Sequence, residues 1–344
     1  MIGDPGGKSE ERNLLDEETV AHNAKAVAAQ IKKVFGSDDV IEENNARWLS
    51  KLNLLEFLRD VGKYFTVNSM IKKDIVRDRL IAESPISFTE FSYSLLQGYD
   101  YLQLNKEYGC DVQVGGSDQW SNILAGVEFI RRKEEKAVYA LTWPLIVNKS
   151  TGKKFGKSEQ GAVWLDAKKT PPLQMYQFFL NIEDDAIEEL MLKLTMLPLV
   201  DIKDQIATHA AEPSSRKGQR FLAREVTALV HGVDVANRIG KISSILFDGN
   251  SEALEELEDK ERELLLNEAP TYDVGDGMLI IDALICSKLA TSKREARQFI
   301  SDGAVSLNGQ MVTEEGRPIT ESDFHNGLAL LKRGKRNVSV LRQA

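Results

Sequence analysis

Four short stretches hold the side chains whose types and spacing could do chemistry. "TGKKFGKSEQGAVWLD", residues 151–166, sets Lys153, Lys154 and Lys157 on one loop hinged by Gly152 and Gly156 and followed by an apolar segment. Clustered ammonium groups between glycines suit a mobile clamp for phosphate; the alternative is a solvated loop. "GDPGGKSEER", residues 3–12, places Asp4 near Lys8 and Arg12. Gly7-Lys8-Ser9 copies the end of a Walker A loop, but the first glycine of that motif would fall at Ile2, so the spacing excludes it. One carboxylate with two cations suits an amino-acid or nucleotide site better than a bare anion hole; a glycine-rich turn capping a helix is the competing reading. In "FSYSLLQGYD", residues 91–100, Tyr93, Gln97 and Asp100 are four and three apart and share one helical face. Such a stripe is commonly a solvated face, yet this one lacks the Lys and Glu such faces use. A carboxylate in a half-apolar pocket would select a ligand bearing a hydroxyl. In "VGGSDQW", residues 114–120, Gly115 and Gly116 permit close approach and Asp118 could accept from a ribose hydroxyl.

These side chains need elements to hold them. Val20, Ala24, Val27, Ile31 and Val34 predict an amphipathic helix stopped by Gly36. Pro85 and "SFT" open a long helix that carries the 93–97–100 stripe and ends at Gly109. "CDVQV" reads as a strand, "GGSDQ" as its turn and "WSNILAGVEFIRRK" as the next helix, the unit of a parallel α/β sheet. Open sheets of this kind bind ligands beyond the carboxyl ends of their strands, where "VGGSDQW" falls. "YALTWPLIV" supplies a further strand, directly before the lysine loop. From Pro171 to about Ala269 helix follows helix, with "IEDDAIEEL" and "SEALEELEDKEREL" as solvated acidic faces. "APTYDVGDG" reads as a linker. Two short helices, a hairpin turning at Asn308-Gly309, and a basic strand pair complete the chain.

Composition narrows the function classes. The 344 residues carry a net charge of −9, which argues against indiscriminate coating of nucleic acid or anionic membrane. The tail differs: residues 275–344 hold 10 Lys+Arg against 8 Asp+Glu. There Lys293, Arg294 and Arg297 fall on one helix, and Lys332, Arg333, Lys335 and Arg336 crowd the last strands, an RNA-binding patch or else a solvated surface. Cys110 and Cys286 give no disulfide framework or metal spacing, and no apolar run or leader signal directs the chain to a membrane, so the expected compartment is the cytoplasm.

"GDPGGKSEERN", "FTEFSYSLLQGYD", "QVGGSDQWSNI" and "KFGKSEQGAVWLD", in this order, resemble the bacterial-type tyrosyl-tRNA synthetases, a class I aminoacyl-tRNA synthetase family, and "SKREARQFISDGAVSLNG" is similar to their S4-type RNA-binding module. The resemblance implies a Rossmann-like parallel sheet in residues 1–168, an α-helical anticodon-side domain in 169–269 and a small α+β S4-like domain in 270–344. It implies that Lys154-Phe155-Gly156-Lys157-Ser158 takes the part of the KMSKS signature, whose lysines bind the ATP phosphates, with Lys8 and Arg12 reaching over the pyrophosphate. Tyr93, Gln97 and Asp4 would hold the tyrosine amino group, Asp100 its phenolic hydroxyl, with Gln113 supporting that pocket. Gln119 would lie near the ligand carboxylate, and Asp118 with Gly116 at the adenylate ribose. ATP accompanied by Mg2+, L-tyrosine and tRNA(Tyr) follow as substrates, and a homodimer as the assembly. The family's HIGH signature should precede "MIGDP"; none of His22, His209, His231 or His325 stands in an H-x-G-H context. The expectation is therefore an N-terminally incomplete sheet with an exposed edge, and impaired catalysis by the chain as written. Two rivals stand beside this reading: the sister tryptophanyl synthetases, against which the 93–97–100 stripe and the tail both argue, and a catalytically inactive RNA-binding fragment, which would have no use for an ATP clamp, a ribose carboxylate and a hydroxyl-selecting pocket together.

Overall fold

The apolar spacing over residues 20–34 becomes α1 (Glu17–Phe35). Asp16 opens it by accepting from the Thr19 amide at 2.7 Å, and Gly36 closes it at φ 64°, a conformation that favours glycine. The computed structural model describes residues 2, 4, 15–36, 39–147, 155, 157–158, 161–248, 251–334 and 337–344, with backbone alone at 74–75, 157–158 and 161. The chain divides into two compact units, 1–155 and 156–344.

The first unit continues with α2 (Ala46–Leu49), α3 (Leu54–Asp60), α4 (Val67–Ile71), α5 (Asp74–Ile81), α6 (Phe88–Tyr108), β1 (Val112–Gly116), α7 (Trp120–Glu134) and β2 (Tyr139–Trp143). A reciprocal capping box starts α6: the Ser87 hydroxyl accepts from the Glu90 amide and the Glu90 carboxylate accepts from the Ser87 amide. Helix α6 lies tightly on α7 because glycines face each other. A Cβ on Gly126 would stand 2.9 Å from the Tyr101 ring, and one on Gly98 would stand 3.5 Å from the Gly126 backbone. Tyr101, Leu102, Phe129 and Ile130 are buried around this contact. The Tyr101 hydroxyl reaches the carbonyls of Asp111 at 2.9 Å and Tyr139 at 2.8 Å, tying α6 to the starts of both strands.

Strands β1 and β2 pair in parallel from Val112↔Tyr139 to Gly116↔Trp143, with α7 as the crossover, so the strand–turn–helix unit read from the sequence is present. Among the described residues this sheet has these two strands. Helix α7 packs on one face, while the alternate positions Val112, Val114, Tyr139, Leu141 and Trp143 are exposed. The expected strand "YALTWPLIV" stops at Trp143, where Pro144 offers no N–H to a ladder.

Lys73, just ahead of α5, lines a cleft of about 380 Å³ with Tyr64, Phe65, Met70, Trp120 and Phe129, and its Nζ is buried without a hydrogen-bond partner among the described residues. Burial pushes its pKa down to about 8. A lysine whose folded pKa lies below its unfolded one costs stability at neutral pH, and the cost fades as pH rises from about 8 towards 10.5. Lys73→Met should accordingly raise unfolding free energy by about 2 kcal/mol at pH 7 and by less than half as much at pH 10. Urea melts at the two pH values measure this; equal gains, or a loss at pH 7, would contradict it.

The second unit begins with the short antiparallel pair β3 (Lys157–Ser158) and β4 (Gly161–Ala162). Helices α8 (Pro172–Leu180), α9 (Ile187–Leu194), α10 (Leu199–Ala211), α11 (Lys217–His231), α12 (Val233–Asp248) and α13 (Asp259–Glu268) follow. Tyr176, Phe179, Leu222, Val226, Ile239 and Ile242 are buried where α8, α11 and α12 meet. The acidic runs do face solvent: Glu183, Asp184, Asp185, Glu252, Glu255 and Glu256 are exposed while Leu190, Leu254, Leu257 and Leu265 are buried. Glu268 departs from that pattern. Half-buried, it accepts from the Leu173 amide at 3.0 Å in the first turn of α8, and desolvation raises its pKa against that hydrogen bond.

The C-terminal part is a five-stranded sheet of β5 (Thr271–Val274), β6 (Val305–Leu307), β7 (Gln310–Met311), β8 (Leu328–Arg333) and β9 (Asn337–Gln343), in the order β5-β9-β8-β6-β7. Helices α14 (Ile280–Cys286) and α15 (Lys293–Ser301) share its apolar core with Val274, Val305, Leu307, Leu331 and Leu341. Asn308 and Gly309 turn the β6–β7 hairpin at φ 49° and 80°. The stretch "APTYDVGDG" is not a linker: Thr271–Val274 pairs in parallel with β9 from Thr271↔Val340 to Val274↔Gln343. Its partner lies some seventy positions downstream, so local composition could not show the pairing.

Candidate functional site

Asp100 anchors the stripe on α6. Its Oδ1 accepts from the Trp48 indole N–H at 2.6 Å and its Oδ2 from the Asn45 amide at 3.0 Å. Both donors belong to the start of α2. Desolvation raises the Asp100 pKa, opposed by the hydrogen bonds from Asn45 and Trp48. A carboxylate has about four acceptor positions, so two donors leave capacity for a further hydroxyl. One turn earlier, Gln97 Nε2 lies 3.5 Å from Gln113 Oε1 on β1, which brings together two of the residues expected in one pocket. Tyr93 lies a further turn back on α6, part-buried.

The carboxyl end of β1 gathers a second group. Gln119 Nε2 donates to Asp4 Oδ2 at 2.5 Å, and Asn122 Nδ2 lies 3.3 Å from Gln119 Oε1 and 3.5 Å from Asp4. Asp4 therefore sits on the turn after β1 although 115 positions separate it from Gln119. A Cβ on Gly116 would meet Asp118 Oδ1 at 2.7 Å and Leu145 at 2.8 Å; one on Gly115 would meet Gln119 at 3.1 Å. The glycine pair thus lets the "SDQ" turn (Ser117–Gln119) fold back over the strand end and set Asp118 there.

Several expected residues lie outside this geometry. Lys8, Arg12, Lys154, Gly156, Lys335 and Arg336 fall outside the described residues, as do the side chains of Lys157 and Ser158. Phe155 donates its amide to the Ile146 carbonyl at 2.9 Å. In the tail, Arg294 is exposed, Lys293 pairs with Asp282 at 2.8 Å, and Arg297 pairs with Glu315 at 3.2 Å. Arg333 stacks over Phe299 at 4.8 Å. Lys332 is buried, with a pKa lowered by desolvation against the pull of Asp248. Of the expected RNA-binding cations, Lys293, Arg294 and Arg297 are exposed and Arg333 is part-exposed; Lys288 and Arg342 are further exposed cations among the described residues of this region.

Residues 1–248 match the family of class I tRNA synthetases for tryptophan and tyrosine, and residues 261–341 match the C-terminal domain of tyrosine–tRNA ligases. The chain is 43% identical to the tyrosine–tRNA ligase of Roseiflexus castenholzii over 99% of its length and 82% of the relative's. It is 42% identical to that of Neisseria meningitidis with the same coverage. A C-terminally truncated mitochondrial tyrosyl-tRNA synthetase of Aspergillus nidulans superposes with a TM-score of 0.62 at 31% identity, covering 72% of this chain and 73% of that one. The chain belongs to the tyrosyl-tRNA synthetases. It is a tyrosine–tRNA ligase of class I, and the C-terminal match separates it from the tryptophanyl branch.

Within a tyrosyl-tRNA synthetase the residues that sequence reasoning missed become intelligible. Asn45 and Trp48 bear on Asp100 and Asn122 bears on Asp4, and no sequence motif marks the three. "ENNARW" did carry a signal: Trp48 is 8% exposed, and a buried indole N–H needs an acceptor. What the sequence could not show is that the acceptor lies 52 positions on, at Asp100.

Proposed function

We propose that this tyrosine–tRNA ligase reads the phenolic hydroxyl of L-tyrosine with Asp100, held by Asn45 and Trp48. Tyr93, Gln97 and Asp4 take the ammonium group, Gln113 supports the pocket floor, Gln119 stands by the carboxylate, and Asp118 with Gly116 receives the adenylate ribose. Lys154, Lys157, Lys8 and Arg12 meet the phosphates, with Phe155, Gly156 and Ser158 completing the loop. The observation that carries this reading is the half-buried Asp100 carboxylate with two donors and remaining acceptor capacity.

In the first step a tyrosine carboxylate oxygen attacks the α-phosphorus of ATP. The bond to the bridging oxygen breaks and pyrophosphate leaves with its electrons, giving tyrosyl-adenylate. No proton needs to move, so rate comes from alignment and from cations that meet the charge growing on pyrophosphate. Mg2+ enters with ATP as part of the substrate. In the second step a ribose hydroxyl of the terminal adenosine of tRNA(Tyr) attacks the acyl carbon, the bond from that carbon to the phosphate oxygen breaks, and AMP departs while the hydroxyl proton passes to the phosphate or to solvent. Rejection of phenylalanine, for which this family is itself a standard illustration, follows from burying Asp100 without a hydroxyl partner. Tyrosine-dependent exchange of pyrophosphate into ATP tests the reading; exchange supported equally by phenylalanine would refute it.

The tail cations Lys293, Arg294, Arg297 and Arg333, with Lys335 and Arg336 next to them in sequence, are assigned to the tRNA backbone; the buried Lys332 drops out of that set. Reversing Arg294 and Arg333 to glutamate should weaken tRNA binding about tenfold at low salt and flatten the slope of log affinity against log salt by about two. An unchanged slope in filter binding would remove that role. We further propose a homodimer formed through the catalytic unit, supported by the exposed apolar Leu54, Leu55, Leu58, Ile81 and Phe88. The proposed compartment is the cytoplasm; among the described residues no helix is long and apolar enough to cross a membrane. The functional division proposed is 1–168 for catalysis, 169–269 on the anticodon side and 270–344 for RNA binding.

A further inference from the structure

We propose that Arg47 is a positioning residue for tyrosine selection: it clamps α2 along α6 and thereby holds the Asn45 and Trp48 donors on Asp100. This rests on the reading of Asp100 as the acceptor of the phenolic hydroxyl.

Helix α2 has four residues, too few to hold a helical shape by its own hydrogen bonds. Its Asn45 and Trp48 both converge on one carboxylate, which must also receive the ligand. A segment fastened only there would shift whenever the third partner arrives or leaves. The structure supplies a second fastening. Arg47 donates to Glu107 on α6 and pairs with Glu43 at 3.0 Å, while Glu43 also accepts from the Tyr108 hydroxyl. Asp100 and Glu107 are seven residues apart on α6, which puts them on one face roughly 10 Å from each other. The segment 43–48 is thus tied to α6 at two points two turns apart, and the guanidinium's fork suits it to two carboxylates at once.

The same cation lies 5.4 Å from the centre of the Trp48 ring. Beside the indole is a cleft of about 290 Å³ lined by Arg47, Trp48, Lys51, Leu52, Tyr99 and Glu107. Arg47 occupies one wall of the space into which the indole could turn, so its removal both unties α2 and gives Trp48 somewhere to go. Orientation of the indole N–H sets the geometry of the Asp100 carboxylate, and through it the fit of a hydroxyl but not of a bare ring edge.

The test is equilibrium binding of L-tyrosine and L-phenylalanine to the full chain by calorimetry. Arg47→Met keeps a long unbranched side chain and removes the fork. It should weaken tyrosine about fivefold, leave phenylalanine within a factor of two, and shift the melting midpoint by less than about 2 °C. Arg47→Lys, able to reach one carboxylate, should recover part of the loss. Glu107→Gln should reproduce it, and the double variant should be no worse than either single one. Equal weakening of both amino acids, or tyrosine affinity unchanged in Arg47→Met or in Glu107→Gln, overturns the proposal. Asp100→Asn serves as the reference. If it leaves selectivity intact, the reading of the pocket is wrong; if it abolishes selectivity while Arg47→Met does not, the pocket stands and the clamp falls.

Discussion

Asp100→Asn is expected to cut the preference for tyrosine over phenylalanine about 10- to 150-fold while leaving the protein folded. Asparagine keeps the size of the side chain but replaces a two-oxygen acceptor by one oxygen and one NH₂ group. Asn45 and Trp48 both donate, so the new NH₂ must face one of them or the ligand, and at least one donor loses its partner. A hydrogen bond to a charged acceptor is worth about 1.5–3 kcal/mol, which corresponds to a fall of about 10- to 150-fold in kcat/KM for tyrosine. Phenylalanine brings no hydroxyl, so its kcat/KM should move by less than about threefold. Stability should not follow activity. Burial raises the Asp100 pKa more than its two donors lower it, so the folded state pays to keep this carboxylate ionised at neutral pH, and that cost is relieved as pH falls through the raised value. A neutral side chain removes that cost, which offsets the hydrogen bond lost to Asn45 or Trp48, so the melting temperature should change little. For the same reason, tyrosine affinity in the parent should decline on the acid side while phenylalanine affinity stays flat, because a protonated Asp100 gives up one of its acceptor sites. Pyrophosphate exchange with both amino acids decides the matter: a variant still preferring tyrosine to within threefold of the parent would place the phenol elsewhere.

The geometry of the stripe is legible in the sequence because it is local. Tyr93, Gln97 and Asp100 are fixed on one face by helical period, and Ser87 with Glu90 and Gly109 marks where the helix begins and ends. The turn after β1 was legible for the same reason: two glycines before Ser-Asp-Gln announce a chain that folds back on itself, as the 2.7 Å approach of Asp118 to the Gly116 Cβ position shows. What stayed hidden is whatever depends on distant pairing. Nothing near Asn45 or Trp48 names Asp100 as their acceptor, nothing near Thr271 names β9 as its partner, and Lys332 looks like its neighbour Arg333 although one is buried and the other lies part-exposed over Phe299. Residue type told what chemistry was possible; spatial pairing decided which of two similar residues stays accessible for it.

The largest loss of stability should come from a pair that no substrate touches. Arg79 and Glu90 are 9% and 6% exposed and meet at 2.9 Å, with Arg79 also donating to the Pro85 carbonyl. Desolvation pushes the Glu90 carboxyl up, but the hydrogen bonds from Arg79 and Ser87 and the charge of Arg79 outweigh it and leave the pKa lowered. Arg79→Ala strands that carboxylate without its counter-ion and should cost about 3–5 kcal/mol. Its pH signature follows from the sign of the shift. A carboxyl depressed in the folded state contributes stability above its unfolded value, near 4.5, and loses it as pH falls through the folded one. Without Arg79 that contribution should vanish, so parent and variant should converge in stability under acid and diverge at neutral pH. Glu90→Leu combined with Arg79→Met separates charge from capping. An apolar pair of similar volume removes the desolvation cost on both sides, leaving the missing half of the capping box at Ser87, about 1 kcal/mol. The double variant should therefore be more stable than Arg79→Met alone, a non-additivity that packing loss by itself would not produce because the residue at position 79 is the same in both. Because Glu90 opens the helix on which Tyr93, Gln97 and Asp100 ride, the single variant should also weaken tyrosine and phenylalanine alike. That uniform loss distinguishes a helix displaced as a body from the selective loss expected at Asp100.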